Sequence, residues 1–440
     1  MSLNPAKTVN RFIHSTTSSS SFLFVAAIVA AIVANSPWGP AYNEFLNQEV
    51  ALRIGSFNLF SHHRHPLTLL TFINDGLMAV FFFMVGLEIK RELLVGEISS
   101  VKKAALPLIA ACGGMLLPVL VYSFVSSTGG GEGMNGLAIP MATDIAFSLG
   151  VLSLLGQRVP LGMKVFLTAF AVIDDIGGIL VIALFYSTHL AVGYLLASLP
   201  LFLLLWIGNR RAVGSQIFYL FIGLAIWYLF LQSGIHSTIA GVLVAMFVPA
   251  RPKLKIGHYI ERIRRSINRF PVNTKDNSII LTNEQIASLK RLETASDHVI
   301  SPLQAMEDGL HLFVNFFVLP LFAFANAGVV LGGEGELIGV VTLAVALGLI
   351  VGKFSGIFLF TFAAVKSRIV DLPTGVNWRG VAGIAMLGGI GFTVSLFIAN
   401  LSFGNHPELL NQAKLGVTLG TIVSGLLGYT YLHLVLPKRR

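Results

Sequence analysis

The stretch Val165-Phe-Leu-Thr-Ala-Phe-Ala-Val-Ile-Asp174-Asp175-Ile-Gly-Gly-Ile-Leu-Val-Ile-Ala-Leu-Phe185 sets two adjacent carboxylates in the middle of an otherwise uncharged run. About 20 apolar residues are what a helix needs to cross the hydrocarbon core of a bilayer. An ionised side chain at that depth costs about 2.5–3.5 kcal/mol even on the lenient insertion scale, so the pair demands a reason. Similar apolar blocks recur outward from it in both directions, at about 20–36, 70–90, 104–125, 135–156, 160–186, 190–208, 214–231, 234–250, 303–329, 337–364, 380–400 and 411–436. Of the 440 residues, 55% are hydrophobic and 12% charged, and that charged share is roughly half of what a soluble domain carries. The reading is an all-α polytopic membrane protein of about 12 transmembrane helices. Residues 1–440 then form a single integral membrane transporter domain, with no room for a large soluble one.

The formal charge of +9 does not point to nucleic acid, because the basic residues sit in short segments between apolar blocks. Of 30 Lys and Arg residues, 26 fall on the side of the N-terminus in this twelve-span layout. Arg53, Arg64 and Lys414 fall opposite, and Lys353 lies inside a span. Positive charge favours the cytoplasmic side, which puts both termini there. The layout leaves a cytoplasmic tail at 1–19, an outer hairpin-like loop at 37–69 and a basic cytoplasmic loop at 251–302. Within the outer loop, the β-like run 50–59 is interrupted by Gly55 and suits a hairpin. The basic loop suits a membrane-surface helix. Phe22 to Val33 follows Lys7 and Arg11 and could pass for a signal peptide, but reads as a retained first helix. The one cysteine, Cys112, excludes an intrachain disulfide. His62-His63-Arg64-His65 reads as an exposed polar loop, since no spaced carboxylate or thiolate completes a metal site.

Five charges stand out deep within spans: Asp75, Asp144, Asp174, Asp175 and Lys353. Adjacent helical positions point about 100° apart, so Asp174 and Asp175 need not share a partner. One can face a cation cavity while the other reaches a neighbouring helix. Two like charges this close disfavour each other, so at least one should exchange protons in the physiological range. The alternative is a structural pair neutralised by lysines, but Lys353 is the single span-interior lysine and can serve only one of them. Asp144 lies in Ala138-Ile-Pro-Met-Ala-Thr-Asp-Ile-Ala146, where Pro140 interrupts the helix and Thr143 adds a hydroxyl oxygen. Gly388-Gly-Ile-Gly-Phe-Thr393 weakens the eleventh span in the same way. Discontinuous helices in corresponding parts of two halves, here spans 3–5 and 10–12, point to an inverted-repeat transporter. Lys353 is too deep to snorkel and should pair with a buried aspartate, as scaffold or as switch.

Carboxylates, a threonine hydroxyl and freed carbonyls suit a hard cation such as sodium. A carboxylate that holds a proton holds sodium poorly, so competition for the same oxygens couples the two fluxes. A sodium-coupled solute symporter is the alternative, although few Asn, Gln or Arg residues stand within spans to line a roomy polar cavity. An intramembrane aspartyl protease would draw its two aspartates from separate spans, unlike Val172-Ile-Asp-Asp175.

Asp174-Asp175, Ala142-Thr-Asp-Ile-Ala146, Ile73-Asn-Asp-Gly-Leu-Met-Ala-Val-Phe-Phe82 and Gly86-Leu-Glu-Ile-Lys-Arg-Glu-Leu93 resemble the NhaA family of bacterial sodium/proton antiporters. So do Ser233-Gly-Ile-His-Ser-Thr238, Leu319-Pro-Leu-Phe-Ala-Phe-Ala-Asn-Ala-Gly328 and Gly391-Phe-Thr-Val-Ser395. The resemblance implies broken, crossing helices 4 and 11 in a bacterial inner membrane. It also implies electrogenic, pH-activated extrusion of sodium or lithium against external protons, with no cofactor. Asp174 and Asp175 would carry the cation and the protons, Thr143 and Asp144 would support the site at the crossing, and Lys353 would pair with Asp174. Asp75, within a matching motif, joins them as a supporting residue. Glu88, Arg91, Glu92, Glu307 and His236 match positions of pH regulation. Read from the residues alone, Glu88 to Glu92 is equally a salt-bridged helix end in water, and His236 a hydrogen-bonded interface residue. The 50–59 run resembles a dimerising hairpin, which implies a homodimer. The chain departs from the family pattern mainly in loop 251–302, which is longer and more basic.

Overall fold

The structure, a computed structural model, describes residues 16–51, 53–54, 57–58, 61–62, 65–131, 133–186, 190–251, 256–268, 282–331 and 338–437. Among these residues nine helices are long and apolar enough to cross a bilayer. They are α3 (Leu69–Val95), α4 (Val101–Thr128), the interrupted span Met134–Ser153 with its helical part α5 (Ile145–Ser153), α6 (Leu161–Phe185), α7 (Val192–Arg210), α8 (Gln216–Ser233), α12 (Pro302–Asn326), α13 (Val340–Lys366) and α16 (Pro407–Val435). Two bent pairs raise the number to at most eleven. One joins α1 (Thr16–Ala34) to α2 (Gly39–Leu46) at 116°, and the other joins α14 (Trp378–Leu387) to α15 (Phe392–Phe403) at 43°. The block expected at 234–250 is α9 (Ser237–Phe247), whose 11 residues rise only about 17 Å. Nine to eleven of the twelve expected blocks thus meet a bilayer-crossing length among the described residues.

The outer loop carries five short strands: β1 (Glu49–Val50), β2 (Arg53–Ile54), β3 (Phe57–Asn58), β4 (Ser61–His62) and β5 (His65–Thr68). β2 pairs antiparallel with β3, Arg53 opposite Asn58, inside the run expected to form a hairpin; β5 pairs with both β1 and β4. The side chains of the 62–65 histidine cluster, and with them the metal site weighed there, lie outside the described residues. In the basic loop, α10 (Ile256–Asn268) packs against α11 (Asn283–Val299).

Glycine sets the spacing at the centre. A Cβ on Gly113 of α4 would stand 2.3 Å from the Gly356 carbonyl oxygen of α13, and one on Gly356 2.1 Å from that of Gly113. The two backbones therefore touch, and α6 packs against α4 beside them. Three spans contain a π-helical turn, each adding a residue to the helical register: Phe72–Leu77 in α3, Val314–Val318 in α12 and Gly348–Gly352 in α13. Such turns often mark functional positions.

Candidate functional site

The interruption in Met134–Ser153 begins with a 3₁₀ turn at Ile139–Met141 around Pro140, then runs extended through residues 142–144 before α5 starts. The second interruption, residues 388–391, separates α14 from α15. The two breaks meet and satisfy each other's freed backbone groups. The Asp144 amide donates to the Ile390 carbonyl at 2.7 Å, the Thr143 hydroxyl to Gly388 at 2.8 Å, and the Ser148 hydroxyl to Leu387 at 3.0 Å. In return the Ser395 hydroxyl donates to the Ile139 carbonyl at 2.7 Å.

Asp144 joins the two helix starts. Its Oδ1 accepts the Phe147 amide at 2.9 Å and caps α5. Its Oδ2 accepts both the amide and the hydroxyl of Thr393, at 3.1 and 2.6 Å, on the first turn of α15. A helix N-terminus carries partial positive charge and unpaired amides, so one carboxylate between two such ends is well held. Thr393 carries no sequence signal of its own, because a hydroxyl in an apolar run looks like many others.

Asp174 and Asp175 on α6 part company as their 100° offset allows. Lys353, directly after the π-turn of α13, places its Nζ 2.6 Å from Asp174 Oδ2 with both side chains fully buried. The ammonium also stands 5.6 Å from the centre of the Phe170 ring. Asp174 Oδ1 is buried with no hydrogen-bond partner among the described residues, and Thr143 lies near this carboxyl group. Asp175 makes no hydrogen bond or ion pair to a described residue and instead lines a cavity of about 130 Å³. Thr143, Asp144, Thr393, Glu88, His311 and Asn315 share that wall. The charges of Asp174, Glu88 and Asp144, and the opposite charge of Lys353, lie close enough to act on Asp175. The carboxylate and hydroxyl oxygens on this otherwise largely apolar wall suit a small hard cation, and a cavity of this size holds waters beside it.

The other candidates lie apart. Asp75 sits in the π-turn of α3, off the cavity wall, where its backbone carbonyl accepts Trp227 Nε1 and the Ser237 hydroxyl. Arg91 Nε reaches both oxygens of Glu307 at 2.9 and 3.1 Å, and its Nη1 lies 3.0 Å from Glu92. Both acids are buried against α12 while Arg91 stays partly exposed on a recess, so the helix end is salt-bridged, as the residues alone also allow. Only Glu88 of that group reaches the cavity. His236 is at the far face, with its ring Nε2 2.7 Å from the Tyr186 carbonyl.

A sequence profile described as Na+/H+ antiporter 1 matches residues 10–432. The chain is 65% identical over 419 residues to the protein named Na(+)/H(+) antiporter NhaA of Bacteroides fragilis, covering 95% of each. It is 62% identical over 435 residues to the one of the same name in Bacteroides thetaiotaomicron, covering 99% of each. A third, from Porphyromonas gingivalis W83, shares 45% over 433 residues, 97% of this chain and 95% of the relative. A match across almost the whole chain, on a helical membrane scaffold holding two interrupted spans, shows that the chain belongs to the Na+/H+ antiporter 1 family.

Proposed function

We propose that this protein is a secondary transporter that moves sodium out of the cytoplasm in exchange for external protons, with Asp175 the carboxylate at which the two ions compete. The observation that carries the reading is the division of labour on α6. Asp174 is held by an ammonium at 2.6 Å, while its neighbour Asp175 lines a cavity with no hydrogen-bond or ion-pair partner among the described residues. An anionic oxygen with no ion-pair partner of its own is free to take either a proton or a sodium ion. The relatives' shared name agrees with that pair of ions.

Lys353 extends the cycle. When sodium draws on Asp174 as well as Asp175, the ammonium loses its partner, and a desolvated lysine without a counter-ion gives up its proton readily. Sodium then displaces more than one proton, the exchange is electrogenic, and the membrane potential drives it. Asp144 and Thr143 hold the two breaks in place around the site, and Asp75 acts from a distance. Glu88 at the cavity wall, with Arg91, Glu92 and Glu307 behind it, forms the pH-responsive entrance, and His236 tunes the response from the opposite face. The protein sits in the bacterial inner membrane and pairs into a homodimer through the strands of the outer loop.

Proton movement in everted membrane vesicles tests the central point. Respiration acidifies the lumen, sodium is added, and the wild type is compared with Asp175→Asn. Prompt collapse of the pH gradient in wild type and none in the variant supports exchange through this carboxylate. No sodium response between about pH 6.5 and 8.5 in inserted wild-type protein would overturn the proposal.

A further inference from the structure

Three carboxamides from three different spans meet away from the cavity. Asn326, the last residue of α12 and fully buried, exchanges hydrogen bonds with Asn74 in the π-turn of α3: Asn326 Nδ2 to Asn74 Oδ1 at 2.7 Å, and Asn74 Nδ2 to Asn326 Oδ1 at 3.3 Å. Asn400 of α15 donates to the same Asn326 oxygen at 2.9 Å. The second hydrogen of the Asn326 amide goes to the Phe322 carbonyl at 3.0 Å. Asn326 thereby uses both donors and both lone pairs, the full capacity of a carboxamide.

The same three spans wall the cavity. α3 contributes Phe81, Met84 and Glu88, α12 contributes His311 and Asn315, and α15 contributes Thr393. Fourteen residues separate Asn74 from Glu88, about 20 Å along a helix. Between triad and cavity the spans present Met78, Phe322, Ala323 and Phe397, all buried, with the Phe82 and Phe397 rings 5.7 Å apart. The cavity lies toward the face where Lys90, Arg91, Arg210, Arg211 and Arg251 ring one recess, and the triad lies toward the other. A buried apolar layer thus covers the far side of the site, and the triad is a polar contact that joins the three spans beyond that layer.

We infer that Asn74, Asn326 and Asn400 are positioning residues that hold the far side of the site closed while the cavity faces the basic, cytoplasmic side. Apolar side chains slide past one another with little directional cost, whereas a fully satisfied buried amide cluster fixes one arrangement and penalises those that leave it partly unpaired. For the site to face outward, the three spans must separate where these amides bind, so the cluster biases the protein toward its inward-facing state. The inference rests on the exchange function proposed above.

The test compares apparent sodium KM on the two faces, in everted and in right-side-out vesicles, for wild type, Asn326→Ala and Asn400→Ala. Weakening the inward-facing state lowers its population, which raises KM on the cytoplasmic face and lowers it on the outer face. Loss of one or two net hydrogen bonds corresponds to shifts of roughly threefold to tenfold. Asn400→Gln, which keeps the carboxamide, is expected to fall between Asn400→Ala and wild type. Variants whose KM moves in the same direction on both faces, or whose Vmax alone falls, would overturn the inference by showing a merely structural contact. Absence of sodium-dependent proton movement in wild type would instead overturn the exchange function.

Discussion

A carboxylate deep in a membrane protein can be held by amides, held by a cation, or left facing water, and the three central aspartates take one option each. Asp144 receives the first turns of two helices, Asp174 receives the Lys353 ammonium, and Asp175 receives the cavity. The pair Asp174–Lys353 makes a sharp prediction, because removing one member of a buried ion pair leaves the other uncompensated. Lys353→Met should lower stability by about 3–5 kcal/mol, and the double variant Lys353→Met/Asp174→Asn should recover most of it. Thermal unfolding in detergent checks this; equal stability of the two variants would mean that the charges do not face each other. These residues were legible in the sequence because an ionised group inside an apolar run is costly and conspicuous. Thr393 and the asparagines of the triad were not, since hydroxyls and amides are tolerated in spans for many reasons and only their convergence gives them meaning.

At the scale of elements, the two breaks are tied to each other by hydrogen bonds in both directions. Thr393→Val keeps the shape but removes the hydroxyl bond to Asp144 at 2.6 Å, leaving a buried carboxylate oxygen with one donor fewer. Exchange should fall at least tenfold for Thr393→Val and be largely retained for Thr393→Ser, measured as sodium-driven proton flux at matched protein levels. The contact between α4 and α13 is stricter. A side chain at Gly113 meets backbone on the facing helix, which cannot rotate aside as a flexible side chain can. Gly113→Val should therefore leave little folded protein, read as loss of a monodisperse species in detergent. Pro140 and the glycines at 388–391 announced the breaks, because both residue types have direct backbone consequences. The π-turns gave no such notice: a one-residue shift of helical register leaves an apolar run looking like any other, yet it sets the positions of Asn74, Asp75 and Lys353.

For the whole molecule, the distribution of Lys and Arg predicted which loops share a side, and the contacts between loops fall into the same two groups. On one side Arg158, after the first interrupted span, donates to the His433 carbonyl at the end of α16, and Asn209 donates to Phe247. On the other, Asn35 bonds Val329 and Leu331, Asn411 bonds Val330, and Tyr186 bonds Asn135. Reporter fusions should follow: an alkaline phosphatase joined after residue 131 should be active, and one joined after residue 437 inactive, if the basic side is cytoplasmic. Activity at both points would break the assignment. The spans themselves were readable because bilayer thickness imposes a length and an apolarity on every crossing helix. The short α9 and the tilt between α14 and α15 were not, as both are set by packing against neighbours. The whole account turns on one set of oxygens serving two ions, and calorimetric titration of purified protein with sodium, in buffers of different ionisation enthalpy, measures that directly. Competition predicts that sodium binding releases protons and weakens as pH falls, about tenfold per pH unit for each proton displaced, with both effects lost in Asp175→Asn. Sodium binding with no proton release and no dependence on pH would contradict it.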